Sequence, residues 1–222
     1  MEQNNHLPSL PLLKKYSAEI GVPLEADQIN QFMIYLEQLR VWNKSMNLTS
    51  ITVDKEIIIK HFIDSLAGLK AVEISPGARI LDVGTGAGFP GIPLRIVRKD
   101  LNITLVEPVQ KKVSFLYSIV GLLRLERVKI FYGTLERFMI EKISEPPFDY
   151  ITTRALKYDF ILQKSSRLLV PGGKVMLYLS KLIEQPELGM EWSMLNEYSF
   201  DLPEGLGRRV ISVLTSPHGQ AG

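Results

Sequence analysis

Residues 81–94 read LDVGTGAGFPGIPL and place four glycines within eight positions, between two apolar runs. They are Gly84, Gly86, Gly88 and Gly91. Glycine lets the backbone bend to positive φ, and it lets a ligand approach without a Cβ in the way. In open α/β sheets, a loop that leaves a parallel strand and enters a helix lies at the carboxyl edge, where ligands bind. The stretch therefore predicts a nucleotide or nucleoside site.

The rest of the C-terminal part alternates short apolar runs with helical patterns. The candidate strands are RILDVG, ITLVEP, VKIFYG, FDYITTRA and KVMLYLS. Because these runs lack strict apolar–polar alternation, they are typical of parallel strands covered on both faces. The tail EYSFDLPEGLGRRVISVL has no helical segment and predicts an antiparallel strand pair at one edge. We predict an α/β fold, a Rossmann-like doubly wound sheet.

Helical periodicity dominates the chain before the first candidate strand. After a first helix, a second is predicted over about residues 27–43 and a third over 55–69, with Asp54 as the N-cap of the third. A chain of 222 residues is long enough to form one full hydrophobic core and too short to form two large domains. We expect the whole chain to form one domain, with a helical cap over 1–72 packed on the core over 73–222.

Composition excludes several classes of function. The net charge is only +2, so any nucleic-acid contact must come from local basic patches. The absence of cysteine excludes thiol nucleophiles and thiolate metal sites. His6, His61 and His218 are scattered, and we expect no metal. No apolar run approaches the roughly 18 residues of a membrane span, and no signal pattern begins the chain. We expect a cytoplasmic protein without membrane contact.

Glu107 is the predicted acidic partner of the glycine loop. It ends the next candidate strand after the loop. At that place an acidic side chain accepts hydrogen bonds from both hydroxyls of a ribose. A ribose is common to several nucleotide-like ligands, so Glu107 alone does not choose among them.

Two overlapping glycine motifs propose two different ligands. The dinucleotide-binding pattern G-x-G-x-x-G is formed by Gly86, Gly88 and Gly91. A pattern of S-adenosylmethionine sites, G-x-G-x-G with an aspartate two positions before it, is formed by Gly84, Gly86 and Gly88 with Asp82. Dinucleotide dehydrogenases usually need a second substrate-binding domain, for which this chain has no room. The Asp82 carboxylate also suits a sulfonium and an ammonium better than a pyrophosphate. Both arguments favour S-adenosylmethionine.

Six segments together resemble a known family. They are VWNKSMNLTS, KHFIDSLAG, LDVGTGAGFPGIPL, LVEPVQKKVSFL, FDYITTRAL and LLVPGGKVMLYLSK. In order and spacing they resemble the bacterial small-subunit (16S) ribosomal RNA guanine-N7 methyltransferases, also called glucose-inhibited division protein B. The resemblance covers about residues 35–181. It implies a class I S-adenosylmethionine-dependent enzyme that acts on 16S rRNA, within the small ribosomal subunit or an assembly intermediate.

The resemblance also assigns roles to individual residues. It implies catalytic roles for Arg154 and Lys181. The glycine loop, its two acidic residues and the resemblance together give the predicted cofactor-binding residues. These are Asp82, Gly84, Gly86, Gly88, Phe89, Glu107, Leu135, Glu136 and Arg154. This chain departs from the family pattern in two places: Lys60 stands where arginine often precedes the histidine, and Leu182 follows Lys181 where glycine is common. The first change loses a bidentate fork.

The chemistry of guanine N7 agrees with these residue types. N7 carries an in-plane lone pair and no proton, so methyl transfer needs a held approach line and no general base. Covalent cytosine-C5 methylation needs a thiol that this chain lacks. Exocyclic-amine methyltransferases have an Asn/Asp-Pro-Pro-aromatic motif after the fourth strand, and this chain has DYITTRAL there. The sequence therefore does not favour that class of enzyme. A donor on N7 would block attack, so we expect Arg154 to hold guanine O6, the cofactor carboxylate or a phosphate; a surface salt bridge is the alternative.

The predicted RNA-binding residues each have a plainer interpretation. The set is Asn47, His61, Lys111, Lys112, Arg208 and Arg209. Asn47 could belong to an Asx turn with Asn43, and His61 could be a packing residue. Lys111 and Lys112 place two positive charges in the first turn of a predicted helix, against the preference of the helix dipole. This placement favours contact with an anion, and two ordinary solvated lysines are the alternative. Other open functions are methylation of another RNA or a small molecule, a non-catalytic RNA-binding module, and a nicotinamide oxidoreductase.

Overall fold

The computed structural model describes residues 9–154, 156–183 and 192–215, and its centre is a seven-stranded sheet. The strand order is β3-β2-β1-β4-β5-β7-β6. The strands are β1 Arg79–Val83, β2 Asn102–Glu107, β3 Val128–Tyr132, β4 Phe148–Thr153, β5 Leu169–Leu179, β6 Ser193–Asp201 and β7 Arg208–Thr215. Strands β1 to β5 pair in parallel, so their carboxyl ends meet at one edge.

The last two strands form the predicted antiparallel pair. β7 pairs antiparallel with β5, with Leu177 opposite Ser212, and β6 pairs antiparallel with β7 on the outside. The Rossmann-like fold class predicted from the sequence is confirmed. Because β7 lies next to β5, its first residues, Arg208 and Arg209, come to the same edge as the carboxyl ends of the parallel strands.

Helices cover both faces of the sheet. They are α1 Ser9–Glu19, α2 Ala26–Met46, α3 Asp54–Ile57, a π-helical segment Ile58–Ile63, α4 Asp64–Leu66, α5 Gly68–Ala71, α6 Gly91–Val97, α7 Gln110–Leu122, α8 Leu135–Glu141 and α9 Tyr158–Ser165. One apolar core joins Phe32 and Phe62 of the first helices to Ile80 on one face of β1. The other joins Leu81 to Phe138 and Ile161. None of the described helices is long and apolar enough to cross a membrane.

The third predicted helix is not the amphipathic helix that its spacing indicated. Residues 57–67 are buried on every side except at Lys60, and Ile58–Ile63 adopts π rather than α geometry. The prediction that Asp54 is the N-cap was wrong, because Val53 occupies that position without a side-chain cap. The Asp54 carboxylate instead accepts hydrogen bonds from Ser9 and Arg40. It links α1, α2 and α3 where one-face periodicity predicted only a cap.

Candidate active site

The glycine loop is anchored on the neighbouring strand. The amides of Gly84 and Thr85 both donate to the carbonyl of Val106 in β2, at 2.9 and 3.2 Å. Gly84, Gly86 and Gly88 have φ of 67, 64 and 103°, a region that L side chains rarely adopt. The loop therefore needs glycine for its backbone path, as the sequence predicted.

The four glycines serve different purposes. A Cβ on Gly88 would lie 2.5 Å from Ile92 Cδ1 and 2.7 Å from the Tyr35 hydroxyl, and one on Gly91 would lie 2.6 Å from Leu105 Cδ2. These two glycines are required by packing. A Cβ on Gly86 would meet nothing within 4 Å. The space for a ligand against bare backbone is therefore at Gly86, whereas Gly88 is closed by the protein itself, and its predicted cofactor contact stays a prediction.

Asp82 holds the loop from beneath. Its side chain is fully buried, and Oδ2 accepts hydrogen bonds from the Thr85 hydroxyl at 2.6 Å and the Gly91 amide at 2.8 Å. Burial raises the pKa of Asp82 to about 6, against the opposing effect of these two hydrogen bonds. The contacts make Asp82 a fastening point between the two ends of the loop, and its direct contact with a cofactor stays a prediction.

Glu107 lies beside the open part of the loop. Its Oε2 accepts from the Gly86 amide at 2.8 Å and its Oε1 from the Val109 amide at 2.9 Å. The side chain is only 3% exposed, and each carboxylate oxygen keeps a second lone pair for a further donor. At the end of the next strand, Leu135 is buried and Glu136 exposed in the first turn of α8. These residues and Gly86 therefore follow the ends of three adjacent strands.

Arg154 follows β4 at the same edge and contacts the helical cap. Its Nη1 donates to the Lys60 carbonyl at 3.1 Å and to Asp64 Oδ2 at 3.3 Å. Its Nη2 donates to His61 Nδ1 at 3.0 Å, and the guanidinium carbon lies 5.0 Å from the centre of the Phe89 ring. Lys60 and His61 belong to the π-helical segment, and such segments are frequent at functional sites.

His61 is a neutral acceptor for Arg154. A guanidinium can only donate, so His61 Nδ1 accepts and Nε2 carries the proton, which it donates to Thr49 Oγ1 at 2.9 Å. Burial, followed by the charge of Arg154, lowers the pKa of His61 to about 3. Its ring stacks on Phe89 at 4.6 Å. Phe89 is 4% exposed between His61 and Tyr35, so its predicted cofactor contact stays a prediction.

A cleft of about 340 Å³ opens beside Arg154. Its lining residues are Ile51, Lys60, His61, Asp64, Arg154, Tyr178, Leu179, Ser180 and Arg209. Asp64 lies between two guanidiniums, 3.3 Å from Arg154 and 3.6 Å from Arg209. Burial raises the pKa of Asp64, and both arginines oppose that rise. Three of the predicted site residues, His61, Arg154 and Arg209, thus meet in one cleft.

The other predicted RNA-binding residues lie away from this cleft. Lys111 and Lys112 are in the first turn of α7, after the carboxyl end of β2. Asn47 ends α2 with a left-handed φ of 48°. Thr49 donates its amide to Asn43 Oδ1 at 2.9 Å, a bond across six residues and not the two of an Asx turn, so Asn43 fixes the segment that follows α2. Arg208, like Lys181 beyond β5, is exposed.

Sequence reasoning missed part of the site. It assigned no role in the site to Asp64, Tyr35 or Tyr178. Asp64 stands four residues after Lys60 and three after His61, a helical spacing that would have suggested a shared side. Tyr35 donates its hydroxyl to the Ala87 carbonyl and Tyr178 to the Ser65 carbonyl. Both contacts join distant parts of the chain and have no local signal.

A cavity larger than this cleft lies elsewhere. It measures about 690 Å³, at the amino ends of β4 and β5, between Phe148 and Leu169. None of the predicted site residues lines it, and ligands of open α/β sheets bind at the opposite edge. Among the described residues, no group of three or more histidine, aspartate or glutamate side chains is placed to hold a metal. The candidate site is therefore the carboxyl edge from Gly86 to Arg209.

Comparison with known proteins identifies a family to which the chain is similar. The family model described as rRNA small subunit methyltransferase G (GidB) matches residues 28–208. Ribosomal RNA small subunit methyltransferase G of Clostridium perfringens is 38% identical over 164 residues, which is 74% of this chain and 67% of that protein. The protein of the same name from Caldanaerobacter subterraneus is 36% identical over 179 residues, covering 80% of this chain and 74% of that protein.

Two solved structures share the fold at low identity. TrmN from Thermus thermophilus has a TM-score of 0.58 at 18% identity, covering 80% of this chain and 52% of that chain. A predicted O-methyltransferase, Atu636 from Agrobacterium tumefaciens, also has a TM-score of 0.58 at 18% identity, covering 69% and 81%. At such identity these likenesses establish the fold alone.

Proposed function

This chain belongs to the rRNA small subunit methyltransferase G family, and from that premise we propose that it transfers a methyl group from S-adenosylmethionine to N7 of a guanine in 16S ribosomal RNA. It is an S-adenosylmethionine-dependent enzyme with a Rossmann-like core. One observation carries the proposal: the Glu107 carboxylate accepts a hydrogen bond from the Gly86 amide at 2.8 Å, and the space beside the Gly86 Cα is open.

The residues around this pair fit the donor. When bound, S-adenosylmethionine supplies a methyl group on a sulfonium, which leaves as a thioether. Glu107 has lone pairs free for the ribose hydroxyls, and Gly86 leaves the backbone open beside them. We assign Leu135 and Glu136 to the adenine and Gly84 to the backbone contact. Asp82 holds the loop through hydrogen bonds, and Phe89 and Gly88 pack against the protein on the side of the loop away from the donor.

His61 does not act as a general base in this proposal. Guanine N7 has no proton to lose, so none is needed. Both ring nitrogens of His61 are already used, one by Arg154 and one by Thr49, and its pKa of about 3 keeps the ring neutral at pH 7. His61 therefore holds the Arg154 guanidinium at the carboxyl edge of the sheet.

We assign charge stabilisation and positioning to Arg154 and Lys181. Arg154 directly follows β4, and the remaining donors of its guanidinium can hold guanine O6 or a carboxylate and leave N7 free for in-line attack. Lys181 follows Leu179 and Ser180, which line the cleft, and its exposed ammonium is a rim cation for a phosphate. These roles are proposals for the two residues.

The RNA-binding surface that we propose includes two residues of the cleft and four that lie away from it. It comprises Asn47, His61, Lys111, Lys112, Arg208 and Arg209. Modest net charge favours local contacts over general attraction to nucleic acid. We further propose that the substrate is 16S rRNA within a small ribosomal subunit or an assembly intermediate in the cytoplasm, and that the whole chain acts as one domain, with the 1–72 cap supplying one wall of the cleft on the 73–222 core.

The test of the donor site is substitution of Glu107. We expect Glu107→Ala to weaken S-adenosylmethionine binding at least about 100-fold, because a ribose would lose a charged acceptor for two hydroxyls. Isothermal calorimetry measures the affinity, and Glu126→Ala, which removes an exposed carboxylate just before β3 at the opposite edge of the sheet, shows the effect of removing charge alone. Wild-type affinity in Glu107→Ala would refute the ribose assignment. RNA binding indifferent to the donor would favour a non-catalytic RNA-binding module.

A further inference from the structure

The cleft beside Arg154 contains a carboxylate oxygen that accepts no hydrogen bond from the described residues. Asp64 Oδ2 accepts from Arg154, but Asp64 Oδ1 is buried and has no hydrogen-bond partner among the described residues. Arg209 Nε forms an ion pair with Oδ1 at 3.6 Å, which is beyond hydrogen-bond distance. A buried acceptor without a donor is costly. Asp64 lines the cleft with its side chain 4% exposed, so a ligand in the cleft is the natural source of that donor.

The surroundings of Asp64 define the class of ligand. Lys60, Arg154 and Arg209 line the same cleft, with Asp64 as the one carboxylate among its lining residues. Lys60 is paired with Glu56 at 2.7 Å, and both guanidiniums contact Asp64. Each guanidinium has five N–H donors, more than its contact with Asp64 uses. The cleft therefore offers cations for a phosphate and one carboxylate for hydrogen-bond donors. A volume of about 340 Å³ lies within the range of small-ligand sites.

We propose that Asp64 selects guanine in this cleft by accepting hydrogen bonds from the donors of its Watson–Crick edge. This inference rests on the proposed function. Guanine presents N1–H and the N2 amine along that edge, whereas adenine presents an acceptor at N1. Oδ1 receives the N2 amine, and the second lone pair of Oδ2 receives N1–H. Enzymes that act on a base take it out of the stack and read it along this edge.

The arrangement also suits the reaction at N7. The N2 amine lies on the opposite side of the purine from N7, so a base held by Asp64 keeps its N7 lone pair free. Arg154 lies between Asp64 and Phe89, the residue after Gly88 of the glycine loop. In this proposal, the far edge of a guanine held by Asp64 faces the glycine loop, which Arg154 contacts through Phe89. Asp64 is a specificity-determining residue in this account.

The experiment compares guanine with inosine, which lacks only the N2 amine. The substrate is small-subunit particles reconstituted from 16S rRNA that carries guanine or inosine at the methylated position, with labelled S-adenosylmethionine. The enzymes are wild type, Asp64→Asn and the control Asp54→Asn. Asp54 accepts from Arg40 at 3.3 Å, as Asp64 does from Arg154, but lies outside the cleft. Donor affinity, measured by calorimetry, shows whether each variant is folded.

We expect wild type and Asp54→Asn to prefer guanine over inosine by at least about 10-fold in kcat/KM. In Asp64→Asn, we expect guanine activity to fall at least about 100-fold and the preference to fall to near 1, with donor affinity within about 3-fold of wild type. Equal rates on guanine and inosine in wild type would overturn the proposal, even if Asp64→Asn does not fold. An unchanged preference in folded Asp64→Asn would also overturn it and would indicate a phosphate in the cleft. Failure of wild type to methylate guanine would refute the proposed function instead.

Discussion

Gly86→Ala separates the need for a ligand site from the need for a backbone bend. Gly86 has a φ of 64°, and an added Cβ would meet no atom within 4 Å. The cost to stability is then only that of a left-handed alanine, about 1–2 kcal/mol. Gly77 provides the matched control, with a φ of 72° and nothing within 4 Å. Because it precedes β1, Gly77 lies at the opposite edge of the sheet from the proposed site.

The effect on the donor is expected to be much larger than the effect on stability. A ligand atom in ordinary contact with the Gly86 Cα lies about 3.5–4.0 Å away. A Cβ placed about 1.5 Å along that line would leave about 2–2.5 Å, which is a severe clash. We expect the Kd for S-adenosylmethionine to rise at least about 100-fold, or about 2.8 kcal/mol at about 1.4 kcal/mol per tenfold.

Urea unfolding and calorimetry on the same preparations provide the assay. Gly86→Ala and Gly77→Ala should lose similar stability, and only Gly86→Ala should lose donor affinity. If Gly86→Ala binds S-adenosylmethionine within about 3-fold of Gly77→Ala, the open side of Gly86 is not the donor site. The assignment of the loop as a cofactor cradle would then be wrong.

Two further predictions concern His61 and the basic start of α7. Because the folded pKa of His61, about 3, is below its usual 6.5, the stability from neutral His61 is present above pH 6.5 and is lost as pH falls. Between pH 6.5 and 5 the loss reaches about 2 kcal/mol, and urea unfolding should show a shallower pH dependence in His61→Asn; parallel curves would contradict the buried neutral histidine. Charge reversal of Lys111 with Lys112 should weaken RNA binding and lower the slope of log affinity against log salt concentration by about 1 or more. Charge reversal of Lys142, at the large cavity on the opposite edge, should change neither. Equal slopes in wild type and both variants would remove α7 from the RNA-binding surface.

The sequence predicted the parts of the fold that depend on local pattern. Buried strands without alternation and helices between them specify a parallel sheet, and Glu107 follows from its place at the end of the second strand. The glycine loop was also predictable, but its four glycines were treated alike. Gly88 and Gly91 are required by Ile92, Tyr35 and Leu105, and such contacts across the fold leave no mark in the local sequence.

The cleft could not be predicted because its walls come from distant parts of the chain. Arg154 meets Asp64 and His61 across about 90 residues, and Arg209 arrives from β7. The π geometry of Ile58–Ile63 also escaped the pattern, because a helix buried on all sides has no apolar stripe to reveal its period. The resemblance identified His61 and Arg154 as candidates, but only the fold brings Asp64 between two guanidiniums.

The most direct test of the account is to identify the methylated atom. Purified protein is incubated with labelled S-adenosylmethionine and small-subunit particles from cells that lack this enzyme, and the 16S rRNA is digested and analysed by nucleoside mass spectrometry. The account predicts one product, 7-methylguanosine, at a single position of 16S rRNA. Label in another nucleoside, or donor binding without any label in the RNA, would contradict it.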